Sequence, residues 1–206
     1  MKKLLIATHN PGKLAEFKNF LSDLPLKLIS LTEIGITDDI EEDGKTYEEN
    51  SKKKALFFAK KSGLPALADD GGIEIDALNG EPGVRSRRWL GHHATDEELI
   101  SHMQKISRRL SKDNRKAKFR TVITVAFPNG TVRSQEGSVD GIIAKKPALN
   151  RAKGYPYRSF FFLPQLHKFY FESELTDAEN KRYNHRYLAV AKLKPYLQRL
   201  LGLENT

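Results

Sequence analysis

The chain predicts an α/β fold, and three observations carry that reading. Apolar runs of strand length are followed by segments of helical period, first at residues 3–7 and 11–21, then at 26–31 and 47–61. Two long strand-like runs, 119–127 and 131–143, flank Pro128-Asn129-Gly130, which reads as a β-hairpin turn. With 206 residues, 39% of them hydrophobic and 30% charged, there is apolar material for one well-buried domain or two small lobes. The organisation expected is a single domain over 1–206, with no repeat, linker or low-complexity tract.

Each element has a local cause. Leu4-Leu5-Ile6-Ala7 is a buried strand, and Thr8-His9-Asn10-Pro11-Gly12-Lys13 is the connection into a helix carrying Leu14, Phe17, Phe20 and Leu21 on one side. A polar glycine-containing loop running into a helix start offers free backbone N–H groups and a positive dipole end, which suits an anion. Lys13 would add a full charge there, with Thr8 and Asn10 as hydrogen-bond donors. After the second strand comes Asp38-Asp39-Ile40-Glu41-Glu42-Asp43, five carboxylates in six residues, which either stay solvated or meet a metal or basic partner. The helix over 47–61 carries Ala55, Phe58 and Ala59 on one side, and Gly63-Leu64-Pro65 ends it. Thr95 with Glu98 forms a capping-box signature for a helix running to about residue 110 through Leu99, Met103 and Ile106. Phe160-Phe161-Phe162-Leu163 is a further buried strand. The amphipathic segment 187–201 is a helix that Pro195 should kink or split.

Between these lies the stretch around which the chemistry is expected: Leu67-Ala68-Asp69-Asp70-Gly71-Gly72-Ile73-Glu74-Ile75-Asp76. An apolar run delivers two adjacent carboxylates to what reads as a turn. Two like charges side by side raise the free energy unless a cation or a proton offsets them. Successive strand side chains point to opposite faces, so one carboxylate is expected to work in a cleft while backbone donors hold the other. The plainer alternative is an Asp-Asp-Gly-Gly hairpin with both carboxylates in solvent.

Several function classes are excluded or set aside. There is no cysteine, hence no disulfide framework and no thiolate metal site. No apolar stretch reaches membrane-spanning length, and Met1-Lys2-Lys3 runs directly into a strand without a signal-peptide pattern, so a cytoplasmic protein is expected. A Walker-type phosphate loop fails its own spacing: Gly44-Lys45-Thr46 would need glycine where Asp39 stands, and Gly12-Lys13 is followed by Leu14. The net charge of +9 concentrates at 105–120 and 145–158. Such runs are usually solvated faces, with a polyanion such as nucleic acid as the less favoured partner.

Taken together and in order, the segments resemble the inosine triphosphate pyrophosphatase family, enzymes that hydrolyse non-canonical purine nucleoside triphosphates. The resemblance rests on residues 6–13, Glu41-Glu42, Thr46-Tyr47-Glu48-Glu49-Asn50, Lys54-Ala55, Leu67 to Ile73, Pro82-Gly83-Val84 with Ser86, Ala117 with Phe119-Arg120, 137–147, Glu174-Leu175-Thr176 and His185-Arg186. It implies an elongated mixed sheet with flanking helices, forming two lobes about a central nucleotide-binding cleft, usually as a homodimer. It also implies a Mg²⁺-dependent attack of water on the α-phosphorus, leaving a monophosphate and pyrophosphate. In that scheme Thr8, His9, Asn10 and Lys13 bind phosphates and Lys54 reaches them from the second helix. Asp70, supported by Asp69, is proton acceptor and metal contact. Glu41 or Glu42 supplies a further metal carboxylate, and the motif does not decide between them. Gly71 stands where the family has serine. Tyr155, Tyr157, Arg158, Lys181, His185 and Arg186 fall on the base-recognition positions.

The departures cluster on that last group. The family's Gly-Phe-Gly-Tyr-Asp-Pro aligns with Gly154-Tyr155-Pro156-Tyr157-Arg158-Ser159, so a donor-only guanidinium replaces an acceptor and proline removes a backbone donor. Arg85 and Arg87 replace tyrosine and alanine, Asn184 replaces serine, and Lys181 stands one place from the expected lysine, where Asn180 is found. Phosphate and metal motifs are kept while base-recognition motifs are rewritten. Two alternatives to house-cleaning hydrolysis therefore stand beside it: the same enzyme with altered nucleotide specificity, and a nucleotide- or nucleic-acid-binding protein that has lost turnover.

Overall fold

A computed structural model describes residues 1–202. A seven-stranded sheet runs through the chain in the order β2-β1-β3-β4-β5-β6-β7. Its strands are β1 (Lys2–Ile6), β2 (Leu26–Ser30), β3 (Ala66–Ile75), β4 (Lys116–Ala126), β5 (Val132–Ile143), β6 (Phe161–Leu163) and β7 (Lys168–Phe169). The helices are α1 (Pro11–Phe20), α2 (Tyr47–Ser62), α3 (Asp96–Arg109), α4 (Asp177–Tyr183) and α5 (His185–Leu200). Pairing is mixed: β1 runs parallel to β2 and β3, whereas β6 is antiparallel to β5 and β7. The α/β class with a mixed sheet is therefore as expected. No helix among the described residues is long and apolar enough to cross a membrane.

The chain divides into two compact units. One holds residues 1–70, 121–137 and those from 186 onward, and the other holds 71–120 and 138–185. In the first unit β1 is flanked on both edges by parallel neighbours, so both of its faces must be covered, and its apolar run is continuous for that reason. Leu4 and Ile6 pack with Phe17, Phe20 and Leu21 of the α1 region and with Val190, Leu193 and Leu197 of α5. Leu5 and Ala7 pack on the opposite face with Ala55, Phe58 and Ala59 of α2. The second unit has its own core, in which Ile73 and Ile75 of β3 meet Leu99 and Met103 of α3 and the aromatics Phe119, Phe160, Phe161 and Tyr170. Gly141 in β5 has a local reason there, since a Cβ would lie 2.6 Å from both the Phe161 ring and the Phe162 carbonyl oxygen.

Two local expectations are corrected, and one helix is added. Asp69-Asp70-Gly71-Gly72 does not turn: β3 passes straight through it for ten residues. β1 pairs with β3 only at Ala66 and Leu67, and beyond them the strand lies beside β4, with Lys54 and Thr121 side chains donating to the main-chain oxygens of Asp69 and Asp70. These tertiary partners outweigh the turn preference of Asp and Gly. Pro195 does not split the last helix, which continues from His185 to Leu200 with Leu193 and Leu197 both fully buried around the proline. Helix α4 was not foreseen, although Thr176 and Glu179 form a complete capping box that marks its start. The capping box at Thr95 and Glu98 and the tight turn between β4 and β5 are as read.

Candidate active site

The first unit assembles a cluster of charged residues. Asn10 caps α1, its side-chain oxygen accepting from the N–H groups of Gly12 at 2.9 Å and Lys13 at 3.2 Å, while its own N–H bonds Thr8 Oγ1 at 3.1 Å. Two of the amides expected to be free at this helix start are therefore taken by the cap. His9 turns outward, its Nε2 lying 2.8 Å from the Asp38 carbonyl oxygen. Lys13, from the first turn of α1, reaches Asp69 instead, 3.1 Å from its Oδ1.

Asp69 and Asp70 share a strand but not an environment. Asp69 lies between cations: Lys13 on one oxygen and Arg186 Nε at 3.0 Å on the other. Arg186 is buried and also bonds Glu16 Oε2 at 3.2 Å, so α5 is joined to α1 and β3 through a single guanidinium. The support for Asp69 thus comes from side-chain cations, not from the backbone donors expected. Burial opposes ionisation of Asp69, but Lys13, Arg186 and Lys54 together hold its carboxyl well below the usual range. On Lys13 the balance is reversed: burial of the ammonium outweighs Asp69 and lowers its pKa.

On Asp70, Asn50 Nδ2 donates to Oδ2 at 2.9 Å, and Thr121 Oγ1 donates to the main-chain oxygen at 2.9 Å. Asn50 is itself oriented by the Gly44 N–H, 2.8 Å from its Oδ1. Burial raises the pKa of Asp70, with the Glu42 carboxylate adding to the rise against the opposing pull of Lys54 and Lys13. Lys54 stands between the two carboxyl environments, bonded to the Glu42 carboxylate and to the main-chain oxygen of Asp69 at 2.7 Å. Burial works against its charge, but Glu42, Asp70 and Asp69 outweigh burial and raise its pKa. Burial likewise works against ionisation of Glu42, and Lys54 overcomes it and lowers the pKa. Glu41 is exposed, so the acid brought to Lys54 is Glu42.

The second unit holds the remaining expected residues. Gly71 continues β3 and is partly buried. Tyr157 is buried with its hydroxyl donating to the Ser86 carbonyl at 2.5 Å, and burial pushes the phenol up. The Arg158 guanidinium is buried, 3.9 Å from the Tyr155 ring centroid and 5.0 Å from that of Tyr170. His185 lies against Phe119, ring centroids 5.3 Å apart, and its Nδ1 is 2.7 Å from the Tyr170 hydroxyl. Lys181 is exposed on α4. The neighbours His185 and Arg186, read as a pair, are thus committed to different partners: aromatics for the first, Asp69 and Glu16 for the second.

Sequence reasoning missed three participants. Glu16 sits between Ala15 and Phe17 with no pattern to mark it as buried. Asn50 was part of the resemblance but carried no role, and Tyr170 belongs to a short aromatic run that signals only a core. Among the described residues no group of three or more His, Asp or Glu side chains is placed to enclose a metal ion by itself. Asp70 and Glu42 are hard oxygen donors close enough to act on each other, the donor type that holds Mg²⁺ through one or two carboxylates plus substrate.

Comparison with known proteins places the chain. The model of the Ham1 family matches residues 4–196. A dITP/XTP pyrophosphatase of Clostridium perfringens is 38% identical over 98% of this chain and 100% of its own length. A dITP/XTP pyrophosphatase of Thermus thermophilus is 41% identical over 93% of this chain and 89% of its own. Among solved structures, a HAM1 protein from Coxiella burnetii superposes with a TM-score of 0.81 at 36% identity, covering 97% of this chain and 100% of that one.

Proposed function

Because the chain belongs to the Ham1 family, we propose that it is a nucleoside triphosphate pyrophosphatase acting on non-canonical purine nucleotides. The observation that carries this is the division of one buried carboxylate pair: Asp69 is salt-bridged to Lys13 and Arg186, whereas Asp70 accepts from the neutral Asn50 amide. In the reaction water oxygen bonds the α-phosphorus, the bond to the oxygen bridging α and β breaks, and pyrophosphate leaves with the electron pair. Asp70 takes the water proton as general base. Lys13 and Lys54 offset charge on the triphosphate, and Asp69 with Arg186 and Glu16 keeps Lys13 in place. Asp70 and Glu42 would hold Mg²⁺, which supplies further charge neutralisation on the phosphates. Thr8 and Asn10 lie in the loop that would meet the phosphates, and Tyr155, Tyr157 and His185 are the groups proposed for the base.

We place the enzyme in the cytoplasm, where nucleotide pools are repaired, as a homodimer. Burial and stacking of Arg158 favour a second reading of its specificity, in which the preferred base differs from hypoxanthine or xanthine. A panel of canonical, deaminated and modified triphosphates, with pyrophosphate and orthophosphate assayed separately, tests both. The expected result is pyrophosphate release with a preference for ITP or XTP, and a fall of about 10²–10⁴-fold in kcat for Asp70→Asn. No pyrophosphate from any nucleotide overturns the proposal.

A further inference from the structure

Arg87 and Asp96 have no part in the chemistry above, yet they grip the loop on which base recognition is proposed to depend. Arg87 Nη1 donates to Asp96 Oδ1 at 2.7 Å and to the Ala94 carbonyl at 3.3 Å. Its Nη2 donates to the carbonyl oxygen of Gly154 at 3.3 Å, and the second Asp96 oxygen accepts the Gly154 N–H at 2.6 Å. One ion pair therefore holds both main-chain polar groups of Gly154, a residue at φ 82, immediately before Tyr155-Pro156-Tyr157-Arg158. Only glycine takes that backbone conformation freely.

Both jaws are anchored. Asp96 is the first residue of α3, where the helix dipole favours a carboxylate and a capping box fixes the first turn. Arg87 belongs to the 3-10 turn Gly83–Arg88. The same turn holds the loop a second time through the Tyr157 hydroxyl on the Ser86 carbonyl, and Ser86 Oγ accepts the Ile73 N–H of β3 at 3.2 Å. The loop is thus tied at Gly154 and at Tyr157 to one turn that is itself bonded to the sheet. A guanidinium suits this task better than an ammonium because its planar fork meets a carboxylate and a carbonyl in one orientation.

We propose that Arg87 and Asp96 form a clamp that presets loop 154–159, and that Arg87 is a positioning residue for nucleobase discrimination. The clamp stands on the geometry, and its effect on discrimination rests on the functional reading above. A loop ordered before the nucleotide arrives loses less conformational freedom on binding and presents one arrangement of Tyr155, Tyr157 and Arg158. Releasing it should weaken and broaden base recognition while leaving the phosphate-handling groups of the first unit as they are.

The test uses the full-length chain carrying Arg87→Met, which keeps the apolar stem, and Arg87→Lys, which keeps the charge without the fork. Asp96→Asn serves as an independent variant should either fail to fold. Amide hydrogen exchange over residues 152–158 is expected to quicken about tenfold or more in Arg87→Met, and less in Arg87→Lys. Unchanged protection in a folded Arg87→Met variant overturns the clamp. For the preferred purine triphosphate KM should rise about three- to tenfold with kcat within about twofold, and the margin over other nucleotides should narrow. Inhibition by inorganic tripolyphosphate should stay as in the wild type. A fall in kcat with KM and base preference unchanged overturns the positioning role. Absence of nucleotide hydrolysis by the wild-type chain would overturn the functional reading and the positioning role together, leaving the exchange result to decide the clamp alone.

Discussion

The charged cluster of the first unit and the loop of the second are held by different physics. Around Asp69, Lys13 and Arg186 satisfy opposite oxygens of one buried carboxylate, and Glu16 satisfies the far side of Arg186. Every member is charged and nearly every one is buried, so removing one group takes a partner from another. Around Tyr157 and Gly154 the partners are mainly backbone carbonyls and amides, gripped by one half-exposed ion pair and one hydroxyl. Such contacts cost less to lose and constrain side-chain identity less. This is a physical reason for side-chain identity to be more constrained in the charged cluster than in the loop.

The sharpest way to break that contrast is Arg186→Met. It takes the guanidinium from buried Glu16 and removes one of the two cations on Asp69, and a loss of about 3–5 kcal/mol in urea unfolding is expected. A loss well under about 1 kcal/mol would mean that the network is slack.

Acid pH should separate the two carboxylates next. Asp69 has a folded pKa depressed below its ordinary 3.8, so its contribution to stability is complete above that value and is lost as pH falls below it. Asp70 is raised above 3.8, so its effect has the opposite sign: stability declines as pH rises through its folded pKa. Unfolding series across the acid range should therefore be flatter on the acid side for Asp69→Asn and flatter on the rising side for Asp70→Asn. Identical pH dependence in the two variants would show that the pair is not divided.

The smallest effect belongs to the second unit. Tyr157→Phe removes one hydrogen bond to the Ser86 carbonyl and should cost about 1 kcal/mol, read from the unfolding midpoint. A cost matching that of Arg186→Met would erase the contrast between the two regions.

Much of this was legible in residue order. Strands β1 and β2, helices α1 to α3 and the β4–β5 turn follow from apolar period and capping residues. Adjacent carboxylates at Asp69 and Asp70 called for a nearby cation, and the family resemblance put Lys13 and Lys54 with them. It misjudged the Asp-Asp-Gly-Gly stretch, because local turn preference says nothing of the strand and side chains that meet it from elsewhere in the chain. It left Glu41 and Glu42 equal, because two adjacent acids in an irregular segment have no period to tell exposed from inward.

By itself, then, the sequence determined most of the longer elements, the class of chemistry and the family, all of which depend on spacing within short windows. The tertiary structure alone decided how the charges were shared out. It made Asp69 the salt-bridged member of its pair and Asp70 the perturbed one, chose Glu42 for Lys54, and sent Arg186 to Asp69 and Glu16. It also gave Arg87 a partner in Asp96 and a backbone to hold at Gly154. The partners of Asp69 at Lys13 and Arg186 are far apart in the chain, and Coulomb interactions depend on distance in space and on burial, neither of which a linear order contains.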